Sequence, residues 1–70
     1  MIMYKIRINY SGKDGDHIFY ANVPKVPEKG DDLLFWIGDT PVNEAFVTCV
    51  AYDFDQENNL SYIEIHVTDQ

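Results

Sequence analysis

The sequence predicts an all-β fold: a five-stranded small barrel or a strongly curled antiparallel sheet, with at most one short helical turn near residues 40–45. Three observations carry this. Apolar and polar residues alternate over short stretches, clusters rich in Gly, Asp and Asn separate those stretches, and no segment repeats at the period of an amphipathic helix.

The first strand runs from Tyr4 to Tyr10, with Tyr4, Ile6, Ile8 and Tyr10 on the core parity and Met3, Lys5, Arg7 and Asn9 on the other. Ser11-Gly12-Lys13-Asp14-Gly15-Asp16 accepts turn geometry and reverses the chain into a hairpin. The return strand spans His17 to Val23, with Phe19, Ala21 and Val23 inward and Ile18, Tyr20 and Asn22 opposite. Pro24 and Pro27 have no N–H for a ladder, so 24–31 reads as an irregular connection. Leu33-Leu34-Phe35-Trp36-Ile37 is a continuous apolar run closed by Gly38-Asp39, the pattern of a strand covered on both faces. Thr40-Pro41-Val42-Asn43-Glu44 places proline where a helical turn tolerates it. Phe46 to Phe54 is β-prone with apolar residues at both parities, Gln56-Glu57-Asn58-Asn59 supplies a turn, and Leu60 to Thr68 returns with Ile63, Ile65 and Val67 inward.

Five short strands favour closure, since a curled sheet removes exposed edges. Pro27-x-x-Gly30-Asp31 before the third strand, then Val47-x-x-Val50-x-Tyr52 and a turn into Ile63-x-Ile65-x-Val67, resembles the SH3-like small-barrel group over residues 24–67. The resemblance implies an architecture that hosts many binding roles. The acidic-aromatic motif and paired aromatics of a proline-peptide-binding SH3 domain are missing, so that activity is not carried over.

Seventy residues hold one core and therefore one domain. A chain of this length buries roughly 60% of its unfolded surface, and such a core seldom supplies more than about 3–5 kcal/mol. Cys49 has no second cysteine to pair with, which leaves homo-oligomerisation as the available staple and fits a reducing cytoplasm. Met1-Ile2-Met3-Tyr4 runs straight into Lys5 and Arg7 without a leader pattern, and no run reaches the length of a membrane span, so a cytoplasmic protein without membrane partners is expected.

Charge is divided along the chain. Lys5, Arg7, Lys13, Lys25 and Lys29 precede Gly30, whereas nine of the twelve acidic residues follow it with no Lys or Arg among them. A net charge of −7 opposes direct nucleic-acid binding, where basic contacts dominate affinity. It fits a protein partner with a basic surface instead.

Motifs for catalysis are weak. Asp53 to Glu64 places oxygen-bearing side chains at calcium-loop spacing, but Asn58 stands where that loop needs glycine and the flanks are β-prone rather than helical, so a solvated turn is expected. Cys49, inside an apolar strand, reads as a small buried hydrophobe. His66 pairs with Glu64 on one strand face, His17 sits at a turn edge, and Gly12-Lys13-Asp14-Gly15 leads into a strand rather than a phosphate-binding helix. No catalytic residue, metal ligand or cofactor is predicted.

The reading is therefore a non-enzymatic acidic binding module. Its predicted partner-binding residues are Asp53, Asp55, Glu57, Glu64, Tyr52, Tyr62, Trp36 and Tyr20, because the chain has more bulky groups than a small barrel interior accommodates. In size and acidity it resembles small phage or mobile-element inhibitors that occupy nucleic-acid-binding surfaces. The alternative is an oligomeric small-molecule binder with pockets between protomers, since one barrel of this size has little room for a ligand.

Overall fold

A computed structural model describes residues 2–70; Met1 lies outside the described residues. The strands are β1 (Tyr4–Gly12), β2 (Gly15–Val23), β3 (Asp32–Ile37), β4 (Thr40–Phe54) and β5 (Leu60–Asp69), and no helix occurs among the described residues. They form one five-stranded sheet in the order β2-β1-β5-β4-β3, curled into a half-barrel. The β1–β2, β3–β4 and β4–β5 pairs are antiparallel, whereas β1 and β5 run parallel and make the sheet mixed.

Alternation decides which side chains face inward. Ile6, Ile8 and Tyr10 of β1, Val42, Ala45 and Val47 of β4, and Ile63, Ile65 and Val67 of β5 form the buried core. Phe19, Ala21 and Val23 pack against it from β2, as the parity of that strand requires. Tyr4 shares the inward parity but lies at the open end of the sheet, where it is exposed.

β4 bends the sheet. Its pairing with β3 shifts between Leu33/Phe35, where Leu33 faces Ala45 and Phe35 faces Val42, and its pairing with β5 shifts between Val47/Cys49. Each shift inserts an extra β4 residue, and such bulges bend a strand and increase its twist. They also return the inward side chains at spacings of three, Val42 to Ala45 and Val47 to Val50. Spacing of that kind imitates a helical face. The helical turn that Thr40-Pro41 allows near residues 40–45 does not form: Pro41 pairs opposite Trp36 at the start of β4.

Curling brings the two edge strands together through side chains. The Phe19 ring of β2 lies 5.2 Å from that of Phe35 on β3, and Phe35 meets Tyr10 edge-on at 5.3 Å. The connection 24–31 runs beside β4, with Gly30 N–H donating to Val47 C=O at 2.8 Å and Val47 N–H donating to Asp31 C=O at 2.9 Å. Val26 from this segment packs on the core. The accessible surface of 4946 Å² exceeds the roughly 4500 Å² expected for a compact chain of 8.1 kDa, as an open half-barrel should. Among the described residues no helix is long and apolar enough to cross a membrane, which says nothing of crossing by strands.

Candidate interaction surfaces

The outer face of the sheet is ordered by register into rows. One row crosses Tyr20 on β2, Arg7 on β1, Glu64 on β5 and Ala51 on β4. The Arg7 guanidinium donates to the Tyr62 hydroxyl at 3.1 Å, lies 3.7 Å from Glu64 and sits over the Tyr62 ring, while Lys5 covers the Tyr20 ring at 5.1 Å. The hydrogen bond to Tyr62 outweighs desolvation and raises the Arg7 pKa, so the guanidinium stays charged. Tyr20, Tyr62 and Glu64 thus share one patch, with Asp53 opposite Tyr62. Two cations occupy its centre. The patch is mixed in charge rather than acidic.

The remaining predicted residues lie elsewhere. Asp55 organises the β4–β5 turn: its Oδ1 accepts from the N–H of Glu57 at 2.9 Å and of Asn59 at 3.0 Å, and Asn58 takes a φ of 62°. Asp55 is therefore committed to the turn, while Glu57 is exposed at the turn. Tyr52 faces the opposite side of the sheet. It lines an open groove of about 830 Å³ together with Tyr4, Val26, Val50, Leu60 and Ile63. The groove is open to solvent. Lys25 and Lys29 at the groove are offset by Glu28 and the neighbouring Asp31.

Trp36 belongs to a third surface that sequence reasoning reached only in part. β3 reads as covered on both faces, but Leu33, Phe35 and Ile37 pack inward while Leu34 and Trp36 are 76% and 65% exposed. β3 is also a sheet edge, paired only with β4. Asp32, Asp39 and Glu44 belong to the same hairpin and its turn, with Lys13 reaching Glu44 at 3.9 Å in an exposed pair that contributes little. Asp32, Asp39 and Glu44 are among the acidic residues after Gly30 but, like Leu34, not among the predicted partner-binding residues. The signal was present in the unbroken acidity after Gly30, but five consecutive apolar residues concealed which of them face water.

Cys49 is exposed, not buried as its apolar strand suggests, because the bulge at Thr48 turns it outward. Register sets it beside His66, which in turn neighbours Asn9. Among the described residues no hydrogen bond joins thiol and imidazole, and no group of three or more His, Cys, Asp or Glu is arranged to hold a metal ion. Comparisons with protein-family models, with characterised proteins and with solved structures returned no match.

Proposed function

We propose that this chain is a non-enzymatic protein-binding module whose β3–β4 hairpin docks on the basic surface of a partner protein. The observation that supports the reading is the exposure of Leu34 and Trp36 on an open edge strand, set among Asp32, Asp39 and Glu44. A large aromatic held on a strand is a low-entropy anchor of the kind that dominates binding energy. Carboxylates around it steer association and reject acidic surfaces. The finer form of the proposal is an inhibitor of the phage or mobile-element type, in which these carboxylates stand where nucleic-acid phosphates would lie on the partner. The half-barrel is compatible with the SH3-like small-barrel group, which hosts many binding roles.

The test is affinity capture from the native cell at low and high salt. Retention of a basic protein at low salt, lost at high salt and lost when Asp32, Asp39 and Glu44 are all reversed to lysine, is the expected outcome. Reversal of Asp53 and Glu57 serves as the comparison. If that variant loses the partner and the hairpin variant keeps it, the docking surface is the β4–β5 turn and the hairpin assignment is wrong.

A second reading is favoured by the groove around Tyr4, Tyr52 and Leu60, which has the volume of a small-molecule site within one protomer. Amide shifts confined to Val26, Val50 and Ile63 on titration with a small aromatic probe would support it. Their absence at millimolar probe would exclude it.

A further inference from the structure

The two edges of this sheet are built differently, and the difference points to what each can meet. β3 is short, its pairing is shifted by a bulge, and it starts at Asp32 beside Asp31. Bulges and acidic residues are devices by which edge strands avoid pairing with their own kind. A second copy of β3 would also bring like charges together.

Apart from Asp16 near its start, β2 carries none of these guards. It spans nine residues with an unbroken register to β1, and from His17 to Val23 it contains no Asp, Glu, Lys, Arg or Pro. It is the terminal strand of the sheet, so its outer backbone groups have no strand partner. Ile18 and Tyr20 stand on its outer face, 58% and 56% exposed. In a chain of net charge −7, the His17–Val23 stretch of this strand, free of charged side chains and flanked by Lys5 and Arg7, is where two copies can meet with little acidic repulsion.

We infer that β2 is a self-association edge: two copies pair antiparallel through β2 about a twofold axis at Phe19 and form a continuous ten-stranded sheet. This register sets Ile18 opposite Tyr20 of the partner subunit, an aliphatic–aromatic pair of the type that stabilises sheets, and repeats it across the axis. It also sets Asp16 opposite Asn22 of the partner subunit. Because Asn22 is flanked on the same face by Lys5, each end of the interface joins a carboxylate to a nearby ammonium. A contact between two strands is at the small end of specific interfaces, below about 1,200 Å² in total, so the dimer is reversible and weak.

Sedimentation equilibrium across micromolar to millimolar protein tests this, because the exposed positions can be changed without entering the core. The expected result for the unaltered chain is a monomer–dimer equilibrium. Ile18→Lys/Tyr20→Lys and Ile18→Glu/Tyr20→Glu should each weaken dimerisation by at least about tenfold, since like charges then face each other across the axis. Mixing the two double variants should restore a one-to-one heterodimer. Trp36→Ala should leave the equilibrium unchanged, which separates this edge from the partner-binding hairpin. A monomer throughout the range, or a mixture of the two charged variants that stays monomeric, overturns the inference.

Discussion

Gly12 leaves no room for a side chain, and the reason is the chemistry around it. A Cβ there would strike the Asp69 carboxylate and the Tyr10 hydroxyl. The two groups are joined at 2.9 Å, and the same carboxylate accepts the Lys13 N–H at 2.7 Å, tying the end of β5 to the first hairpin. Gly12→Ala is expected to cost about 1–3 kcal/mol, as overpacking at a closed site does, read from the urea midpoint. Burial, followed by the bond to Asp69, raises the Tyr10 pKa above its ordinary 10.0. A phenol with a raised folded-state pKa contributes stability that is full below the unfolded value and lost as pH climbs through the folded one. Stability should therefore fall above about pH 10, and less steeply in Tyr10→Phe, when the urea midpoint is followed against pH. At Trp36 the opposite pattern is expected. Truncation to alanine should change stability by less than about 0.5 kcal/mol, because the ring is largely exposed, while removing the proposed partner-binding anchor.

At the scale of elements, β4 explains what sequence could and could not convey. β1 and β5 alternate cleanly, and their parities place Ile6, Ile8, Ile63, Ile65 and Val67 in the core as their patterns require. β4 has apolar residues at both parities because bulges change its phase twice, so a strict period of two fails along it. The bulge at Thr48 also hid the outward turn of Cys49, whereas on β3 the unbroken apolar run concealed the exposure of Leu34. Among the predicted site residues, Tyr20, Tyr62 and Glu64 do fall together, since each lies on the outward parity of its strand. Tyr52 separates from them because the Thr48 bulge reverses its face. A substitution pair tests that phase: Val50→Lys should cost about 1.5–3 kcal/mol by removing a side chain packed on the core. Ala51→Lys, opposite Glu64, should stay within about 0.5 kcal/mol.

For the whole molecule, charge and shape combine into one account. The bases lie on β1, its turn and the 24–31 connection, whereas the stretch after Gly30 is purely acidic, so the sheet has an acidic β3 end and a neutral β2 edge. On the proposals made above, one edge meets a basic partner and the other a second copy of the chain. The most direct test of the central claim is the dissociation constant of the captured partner for the unaltered protein and for Trp36→Ala, each at two salt concentrations with folding verified. Truncation of a central aromatic anchor is expected to weaken binding by about 2 kcal/mol or more, some thirtyfold, and added salt should weaken the unaltered complex further. Equal affinity for both proteins, unchanged by salt, would contradict it.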